Sequence, residues 1–554
     1  MTLDRAPVAP SSTERRLTRA LWAADDAVPL VEATAGSLLR DRAEQHPDTA
    51  AVVATAHDGS AVRWSYGQLF EEARRVAAGL GRIAEPGDHV ALWAPNVAEW
   101  PLIEYGAALA GVVLVALNPV LRAEELDYAL RLSRASVLVH ADISREYDLA
   151  AVAARVGRDV PGLRHVVSLG DPDRWRAEPA GGPVDRSEPA EPAMLQFTSG
   201  TTGHPKAVLL AHRSLVNNAR LTMITGEVPA GAVGIAPLPM FHTAACVIST
   251  LGPAWTGGTQ VLIEKFVPDQ VLAAMADEGA RVLFSVPTVL GAVLEAARAS
   301  GAPAPQLETV LVGASTVPGS MIEAVEQVFG ASVHNLFGQT ELSPVLSLTR
   351  RSDSREDLVT TVGRPLPHTE AAIVDPATGE VVAVGEEGEI CARGYGQMIE
   401  YFGDPEATAA TVDEPDEHDG RGRLHTGDLG TMDERGLISV TGRLKEIIIR
   451  GGENIAPAEI EIALAAHPEV LRSAVVGLPD EHWGEIVAAA VVVRDRTQPD
   501  LVGALDAFCR ERLATYKVPA RWFLVDDLPT TPSGKTQKYV LRDELADAEP
   551  VRPG

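Results

Sequence analysis

The chain has 554 residues, which at roughly 150 residues per domain predicts more than one domain and a large core. Its 48 lysines and arginines against 76 aspartates and glutamates give a formal net charge of −28. A surface of that sign repels nucleic acid and anionic lipid. The charge therefore argues against a protein that binds nucleic acid or anionic membranes through a general basic surface. Any bound phosphate must sit in a local pocket.

The N-terminal stretch and the cysteines bear on the compartment. MTLDRAPVAPSSTERR lacks the apolar core of a signal peptide, and the best apolar run, residues 105–117, is shorter than the about 20 residues of a membrane span. Cys246, Cys391 and Cys509 lie far apart without metal-ligand spacing, so we expect buried, small apolar groups. We predict a soluble cytoplasmic protein, monomeric or homodimeric, with no nucleic-acid partner and no membrane span.

The first predicted elements alternate between helix and strand. Residues 65–82 carry apolar side chains at helical spacing, residues 89–95 form a short apolar strand, and residues 100–111 form a second helix. Further strand-like runs follow at residues 135–142, 165–170, 282–287 and 307–315. The alternation predicts an α/β fold, with parallel-rich sheets and helices packed on both faces.

The composition and the pattern of predicted elements change in the later part of the chain. Residues 171–192 and 412–423 are rich in proline, glycine or charge, and we expect both to be exposed at the surface. Short strands separated by glycine-bearing turns after residue 363 predict a small β subdomain. A helix–strand–strand–helix–strand pattern then predicts an α+β domain of about 100 residues. We expect an N-terminal domain over residues 1–442 and a C-terminal domain over residues 443–554.

The segment FTSGTTGHPKAVLLAH, residues 197–212, has the composition of a phosphate-binding loop. Gly200 and Gly203 allow backbone N–H groups to converge, neighbouring hydroxyls add donors, and Lys206 supplies a point charge. A flexible linker is the alternative, but strand-like apolar runs flank the segment on both sides. It is neither a Walker loop, because Ala207 follows the lysine, nor a dinucleotide-binding G-x-G-x-x-G motif.

These residues resemble the phosphate loop of the adenylate-forming enzymes, which comprise acyl- and aryl-CoA synthetases, peptide-synthetase adenylation domains and firefly luciferase. The family loop ends in G-x-P-K-G, and here only the last glycine differs, as Ala207. Four further family motifs follow in order: FGQTE, LHTGDLG, TGRLKEIIIRGGENIAPAEIE and PTTPSGKTQK. The resemblance covers residue 64 to the C-terminus, and it implies an ATP-dependent, AMP-forming acyl-CoA synthetase of the fatty-acid-ligase type.

The resemblance also implies nucleotide-binding roles. Phe337 stacks on adenine, Thr340 contacts the α-phosphate, and Glu341 with Thr198 holds magnesium, a cation that prefers oxygen ligands. In isolation, Glu341 would be a solvated turn carboxylate. The other implied nucleotide contacts are Ser199, Gly200, Thr201, Thr202, Gly203, Lys206, Gly313, Ala314, Ser315, Gly338 and Gln339.

The remaining motifs are implied to serve ribose binding and domain rotation. Asp428 accepts hydrogen bonds from the ribose hydroxyls with Arg443 nearby, and Lys445 is the pivot of a mobile C-terminal domain. Lys535 is the catalytic lysine, a cation bridging substrate carboxylate and nucleotide; the alternative is a solvated lysine. Gly451 and Gly452 lie on the coenzyme A path, where an ordinary turn is the alternative.

The segment PMFHTAACVIST, residues 239–250, corresponds by resemblance to the acyl site. Relatives that activate amino acids carry aspartate where this chain has His242, so an α-amino acid is disfavoured. His242 either gates the acyl pocket, as a catalytic-site residue, or is a satisfied core histidine. The small residues Thr243, Ala244, Ala245 and Cys246 favour a medium- or long-chain fatty acid, or a bulky alicyclic or aromatic acid of secondary metabolism.

Coenzyme A is the expected acceptor, because no phosphopantetheine attachment segment is found. A free-standing ligase that loads a separate carrier protein is the main alternative. A kinase or motor is disfavoured by the missing Walker and protein-kinase motifs. A catalytically dead nucleotide-binding module is disfavoured because every motif lysine and acid is present. The expected small molecules are therefore a carboxylic acid, ATP with Mg²⁺, and coenzyme A.

Overall fold

The structure is a computed structural model. This structure describes residues 16–179, 185–198, 205–313, 317–415, 420–450, 453–480, 482–530, 536–546 and 548–551. Several sheets and their covering helices make up this part of the chain.

The first sheet contains the strands on either side of the predicted phosphate loop. Parallel strands form its centre, and the pair flanking the loop is antiparallel. Its strands, in spatial order, are Glu400–Tyr401, Lys206–Ala211, Pro192–Thr198, Val113–Leu117, His89–Trp93, Val137–His140 and His165–Ser168. The central strands read as continuous apolar runs because both of their faces are buried.

The second sheet is also mixed, with a parallel centre and antiparallel edges. Its strands, in spatial order, are Arg364–Pro365, Val345–Leu348, Ser332–Gly338, Thr309–Gly313, Val282–Ser285, Val233–Ala236, Thr259–Leu262, Ala50–Thr55 and Ala61–Ser65. The parallel-rich α/β fold expected from the sequence is confirmed in these two sheets.

The third sheet is antiparallel and corresponds to the predicted β subdomain. Its strands, in spatial order, are Leu21–Trp22, Thr369–Val374, Gly388–Gly394, Leu424–Met432 and Ile438–Arg443. A separate hairpin joins Ile143–Ser144 to Tyr147–Asp148. The third sheet carries the LHTGDLG motif within the strand Leu424–Met432.

The fourth sheet lies in the C-terminal part of the chain. Its strands are Glu453–Ile455, Ile448–Arg450, Gly484–Val493, Val470–Asp480 and, parallel to Gly484–Val493, Arg521–Leu524. The helix–strand–strand–helix–strand order expected there is present. The hairpin of Ile448–Arg450 and Glu453–Ile455 and the last helix, Lys538–Ala546, add to it and were not predicted.

The α-helices of the first half are Ala35–Gln45, Tyr66–Leu80, Glu99–Ala110, Ala123–Leu132, Leu149–Val156, Pro172–Trp175, His212–Thr225, Gly252–Thr256 and Pro268–Asp277. Those of the second half are Pro287–Ser300, Gly319–Phe329, Arg355–Thr360, Pro405–Ala409, Pro457–Ala465, Leu501–Arg510 and Lys538–Ala546. A π-helix spans Ala244–Leu251, and 3₁₀ turns span Thr340–Leu342, Leu444–Glu446 and Thr515–Lys517. Within the described ranges, no helix is long and apolar enough to cross a membrane.

The helix Tyr66–Leu80 shows how local sequence sets an element. Ser65 caps its first turn, because the Ser65 hydroxyl accepts from the Gln68 N–H while the Gln68 side chain accepts from the Ser65 N–H. Leu69, Ala73, Val76 and Leu80, the apolar residues at helical spacing, are all buried. Burying that stripe against the neighbouring helix is what stabilises the amphipathic segment.

One expectation for the loops needs correction. The composition of residues 171–192 predicts an exposed loop, yet Pro172–Trp175 forms a short helix and Trp175 is 1% exposed. The backbone carbonyl of Trp175 lies so close to Gly79 that an added Cβ there would approach it to 2.2 Å. The tryptophan therefore anchors a charge-rich segment to the core, which overrides the composition.

Candidate active site

The two ends of the predicted phosphate loop are held by an antiparallel hairpin. Thr198 closes the strand Pro192–Thr198 and lies directly opposite Lys206, the first residue of Lys206–Ala211. Both strands are largely buried, so the two residues that bound the predicted loop, Thr198 and Lys206, are held in fixed positions. The loop residues Ser199, Gly200, Thr201, Thr202 and Gly203 lie outside the described residues.

Tyr401 joins this hairpin to the FGQTE motif. The Lys206 ammonium lies 4.4 Å from the centroid of the Tyr401 ring, and the Tyr401 hydroxyl donates a 2.7 Å hydrogen bond to Glu341 Oε1. Burial, together with the neighbouring Glu341 carboxylate, raises the pKa of Tyr401, so the hydroxyl stays protonated and can donate. A cation, an aromatic ring and a carboxylate from three distant segments therefore form one chain of contacts.

The role of Tyr401 in the site was not predicted from the sequence. Its position depends on the pairing of Glu400–Tyr401 with Lys206–Ala211, in which Tyr401 lies opposite Val208. The local signal is the pair Tyr401 and Phe402 just before a glycine turn, and such a pair has no distinctive spacing. The contact between the Tyr401 ring and Lys206 therefore follows from the strand pairing and not from the local sequence.

The segment 396–402, which we call the seam, runs between the first and second sheets. On one side, Met398 N–H donates to the Glu341 carbonyl and the Ser343 hydroxyl donates to the Gly396 carbonyl. On the other side, the N–H groups of seam residues 399 and 402 donate to the carbonyls of residues 209 and 207, at 2.8 and 2.7 Å. The seam therefore fixes the distance between the phosphate-loop hairpin and Glu341.

Gly313 and Gly338 occupy positions where the backbone is crowded. An added Cβ would come within 2.5 Å of the Leu336 carbonyl oxygen at Gly313, and within 2.0 Å of the Pro344 carbonyl oxygen at Gly338. Both glycines thus permit close approach of neighbouring chain. Gly313 ends its strand beside the strand that carries Phe337, whose ring is half-buried. Gln339 and Thr340 follow directly and are also half-buried; Ala314 and Ser315 fall outside the described residues.

Asp428 and Arg443 meet across adjacent strands of the third sheet. Arg443 Nε lies 2.8 Å from Asp428 Oδ1, and the two residues are register partners. The Asp428 side chain is 7% exposed and that of Arg443 is 53% exposed. The arginine therefore covers one carboxylate oxygen from the solvent side.

The predicted hinge begins one residue after Arg443. Lys445 is exposed and lies in the 3₁₀ turn Leu444–Glu446, which follows the last strand of the third sheet. Gly451, Gly452 and Lys535 lie outside the part of the chain that the structure describes.

His242 lies at the start of the π-helix Ala244–Leu251. Its carbonyl accepts from the N–H groups of Ala245 and Cys246, and its ring centroid is 4.3 Å from that of Phe241. The imidazole is half-buried. Of the small residues expected at the acyl site, Thr243, Ala245 and Cys246 are buried and Ala244 is half-buried. A π-helix is rare and commonly marks a functional site.

The cysteines are buried with free thiols, as expected. Cys391 nevertheless has polar neighbours that its spacing in the sequence did not indicate. Its Sγ lies 3.5 Å from His425 Nδ1, and Glu389, Cys391 and His425 together offer ligand atoms within 4.8 Å of one another. The expectation of a buried, small apolar group is therefore confirmed in burial for Cys391, whereas its surroundings are polar.

Family comparison places the chain among known enzymes. Residues 39–402 match the family "AMP-binding enzyme", and residues 459–535 match "AMP-binding enzyme C-terminal domain". The first match alone spans more than half of the chain.

Individual relatives agree with this. The putative acyl-CoA synthetase YngI of Bacillus subtilis strain 168 is 36% identical, over 94% of this chain and 98% of the relative. A 3-[(3aS,4S,7aS)-7a-methyl-1,5-dioxo-octahydro-1H-inden-4-yl]propanoyl:CoA ligase of Rhodococcus jostii strain RHA1 is 36% identical, over 92% and 98%.

A solved structure extends the comparison to the fold. The o-succinylbenzoate CoA synthetase MenE of Bacillus subtilis, in complex with its acyl-adenylate intermediate, superposes with a TM-score of 0.80 at 28% identity. The match covers 94% of this chain and all of MenE (100%). The chain therefore belongs to the AMP-binding enzyme family of adenylate-forming proteins, among its AMP-forming acid–CoA ligases.

Proposed function

We propose that the protein activates an apolar carboxylic acid with ATP, releasing pyrophosphate, and transfers the acyl group from AMP to the thiol of coenzyme A. The observation that carries the proposal is the contact chain from Lys206 through Tyr401 to Glu341. It holds the proposed phosphate-binding cation and the proposed metal-binding carboxylate on one frame. Such preorganisation is the main requirement for reactions between anions.

Thr198 and Glu341 are the proposed magnesium ligands. A hydroxyl and a carboxylate are oxygen donors, which suit this hard cation. The hydrogen bond from Tyr401 uses one acceptor position of the Glu341 carboxylate, and a carboxylate has about four such positions. A magnesium ion held by these two residues would offset the negative charge of the phosphates.

The remaining loop groups, Ser199, Gly200, Thr201, Thr202 and Gly203, are proposed to cradle the phosphates with Lys206. Lys535 is proposed to approach the α-phosphate from the C-terminal domain and to bridge it to the substrate carboxylate. It acts there as a cation and not as a base. Without these charges, the attacking carboxylate and the triphosphate would repel each other.

Adenosine is proposed to bind between the second and third sheets. Phe337 offers a half-buried ring for the adenine. Gly313, Ala314, Ser315, Gly338 and Gln339 are proposed to contact the adenine side of the nucleotide, and Thr340 the α-phosphate. Asp428 would accept from the ribose hydroxyls. Its pairing with Arg443 supports an ionised carboxylate.

The second half-reaction needs a different arrangement. We propose that residues 443–554 rotate as a domain about Lys445, withdrawing Lys535 and bringing Gly451 and Gly452 to the acyl-adenylate. The exposed 3₁₀ turn at Lys445 supports a pivot there, because few packed side chains need to move. A backbone without side chains would admit the narrow pantetheine arm.

The substrate class is proposed from the acyl segment. His242 replaces the aspartate of amino-acid-activating relatives, and Ala244 beside it is small and half-buried. The Rhodococcus jostii relative is named for a bulky alicyclic propanoate. We therefore propose a medium- or long-chain fatty acid or a bulky alicyclic or aromatic acid, with His242 gating the pocket. The buried free thiols are compatible with a reducing compartment such as the cytoplasm.

The direct test is a panel of carboxylic acids incubated with ATP, Mg²⁺ and coenzyme A, scored by the mass of the thioester. We expect apolar acids to give thioester and α-amino acids to give none. A parallel arm with a holo carrier protein in place of coenzyme A distinguishes the two acceptors. Absence of AMP release with every acid would overturn the proposal.

Lys535→Ala tests the division of labour between the half-reactions. We expect it to remove most acid-dependent ATP–pyrophosphate exchange, while thioester formation from supplied acyl-adenylate is largely kept. Equal losses in both half-reactions would contradict the assignment of Lys535 to the first step.

A further inference from the structure

A charged cluster lies in the third sheet beside Asp428. His425 Nδ1 is 2.7 Å from Glu389 Oε2, and His425 Nε2 is 3.0 Å from Asp413 Oδ1. A neutral imidazole has one donor nitrogen, whereas an imidazolium has two. Because each ring nitrogen faces a carboxylate, the ring is an imidazolium that bonds to both. The contacts with Cys391 Sγ and Glu389 raise the pKa of His425 well above its usual value.

The same residues resemble a metal site in composition, but two distances argue against one. Ligands of a tetrahedral zinc with bonds near 2.0 Å lie about 3.3 Å apart. Glu389 Oε2 and His425 Nδ1 are 2.7 Å apart, which is a hydrogen-bond distance. Glu389 Oε1 is moreover occupied, since it accepts a 2.9 Å hydrogen bond from the Gly427 N–H.

The cluster supports an irregular stretch of backbone that ends at Asp428. The pairing of Gly388–Gly394 with Leu424–Met432 shifts register between Glu389 and Cys391, opposite residues 426–428. Gly427 has a φ of +72° at this bulge. A bulge leaves ladder groups without their regular partners, so side chains must replace them.

Two side chains supply those hydrogen bonds. Glu389 accepts from the Gly427 N–H. Thr426 Oγ1 donates to the Ile390 carbonyl at 2.6 Å and accepts from the Asp428 N–H at 3.1 Å. The orientation of Asp428 therefore depends on where the Glu389 carboxylate is held, and His425 holds that carboxylate.

We propose that Glu389 and His425 are positioning residues for nucleotide binding, which fix backbone residues 426–428 so that the Asp428 carboxylate meets the ribose hydroxyls. The inference rests on the proposed ribose role of Asp428. In this role neither residue needs to touch the nucleotide. The effect should be specific to the sugar, because the proposed phosphate-site groups lie elsewhere: Lys206 starts a strand of the first sheet, and Glu341 lies in the 3₁₀ turn Thr340–Leu342.

The test measures the affinity of the full-length protein for AMP and for 2′-deoxy-AMP by calorimetry, so that no acid substrate is needed. Glu389→Leu removes both acceptors, and we expect the preference for AMP over 2′-deoxy-AMP to fall about tenfold, the scale of one hydrogen bond to a charged group. Glu389→Gln keeps an acceptor for the Gly427 N–H and should retain most of the preference. An unchanged preference in Glu389→Leu would overturn the proposal.

Two controls separate the possible failures. Asp428→Asn reports on ribose recognition itself: if it leaves the preference unchanged, the proposed role of Asp428 is wrong, independently of the positioning residues. Glu370→Leu is the matched control, because Glu370 is a half-buried carboxylate of the same sheet that pairs with Arg393 and Arg423 instead. A loss of preference in Glu370→Leu equal to that in Glu389→Leu would show a general effect of sheet stability and overturn the specific role.

Metal content decides between the ion pair and a metal site. We expect purified protein to contain no stoichiometric zinc and Cys391→Ser to keep the AMP preference, because the thiol is not needed for the ion pair. One equivalent of zinc that is lost in Cys391→Ser would overturn the assignment.

Discussion

At the scale of single residues, Tyr401 connects the phosphate-loop segment with the FGQTE motif. Its ring faces the Lys206 ammonium and its hydroxyl serves Glu341. Hydrogen bonds to charged groups contribute about 1.5–3 kcal/mol. The hydroxyl and the ring can be separated experimentally, because phenylalanine keeps only the ring.

Tyr401→Phe should reduce kcat/KM for ATP–pyrophosphate exchange about tenfold, since Glu341 loses the donor that orients it. The stacking with Lys206 remains, so the effect should appear mainly as weaker use of Mg²⁺, measured by titrating the metal at fixed ATP. Tyr395→Phe is the matched control: Tyr395 is also buried, but its hydroxyl faces Asn218. Equal effects of the two substitutions would contradict this role of Tyr401.

Glu104 gives a prediction about stability. It is 4% exposed in the helix Glu99–Ala110, its Oε2 has no hydrogen-bond partner within the described ranges, and burial raises its pKa well above the usual value. In the unfolded chain the group ionises near pH 4.3, while in the folded chain it stays protonated. The folded state therefore loses stability as the pH rises above about 4.3 towards the raised pKa.

Glu104→Gln should remove this pH-dependent loss. We expect the urea midpoint of the variant to exceed that of the parent at about pH 8.5, with a smaller difference at about pH 5.5, because the amide has no charged form to bury. Glu406→Gln, on an exposed helix, should show no such trend. A parent protein whose stability did not fall over this range would refute the expectation.

The motif residues could be identified from sequence because their chemistry is local: a lysine after a glycine-rich loop, or an acid after an aromatic residue. Tyr401 and the charged partners of His425 could not. Their roles depend on strand pairings that join segments far apart in the chain, such as Val208 opposite Tyr401 and Cys391 opposite His425. Alternation of apolar residues predicts a strand but not its neighbour.

At the scale of elements, the last helix is tied to the hinge. The Lys538 ammonium lies 2.8 Å from Glu446 Oε2 in the hinge turn and 2.9 Å from Glu461 Oε1 in the helix Pro457–Ala465. Burial lowers the pKa of Lys538, but the two carboxylates outweigh it and the net shift is upward. The charged amine therefore fixes the start of Lys538–Ala546, three residues beyond Lys535.

Lys538→Met should slow adenylation more than thioester formation from supplied acyl-adenylate, because the segment that carries Lys535 loses its anchor. We expect at least a tenfold difference between the two losses, on the scale of losing a hydrogen bond between charged groups. Lys538→Arg should restore part of the activity. Arg542→Met serves as the control. Arg542 lies in the same helix as Lys538, and its substitution breaks a more exposed ion pair with Glu485. Parallel losses in both half-reactions would point to a structural role alone.

Crowding around Gly338 gives a second prediction at this scale. Gly338→Ala should lower the melting temperature or prevent folding, because its Cβ would meet the Pro344 carbonyl at 2.0 Å. Gly291→Ala, in the helix Pro287–Ser300, is the matched control, since its Cβ would lie 3.7 Å from Met321 and alanine favours a helix. Thermal unfolding measures both. A Gly338→Ala protein as stable as the parent would show that the strand can shift.

Several elements could be predicted from periodicity, including the order of helices and strands in the C-terminal region. The π-helix Ala244–Leu251 could not, because its apolar sequence fits an ordinary helix equally well. The burial of Trp175 could not be predicted either. It depends on the absence of a side chain at Gly79, next to the Trp175 backbone, and not on the polar residues around Trp175 in the sequence.

At the scale of the whole molecule, the proposed rotation about Lys445 separates two activities within one chain. Gly452→Leu should impair thioester formation while sparing adenylation, because a side chain would obstruct the pantetheine arm but not the nucleotide. Pyrophosphate exchange and thioester yield from supplied acyl-adenylate measure the two steps. A variant slowed only in pyrophosphate release would contradict the proposed coenzyme A path.

The seam has a further consequence for how the molecule opens. The Met398 N–H donates to the Glu341 carbonyl, whereas the N–H groups of Ile399 and Phe402 donate to the hairpin strand Lys206–Ala211, so neither side can be released without loosening the other. In native-state hydrogen exchange, Met398, Ile399 and Phe402 should therefore exchange as one cooperative unit, with a shared free energy of opening. Saturating ATP should slow their exchange together, which would make these three amides a reporter of nucleotide occupancy.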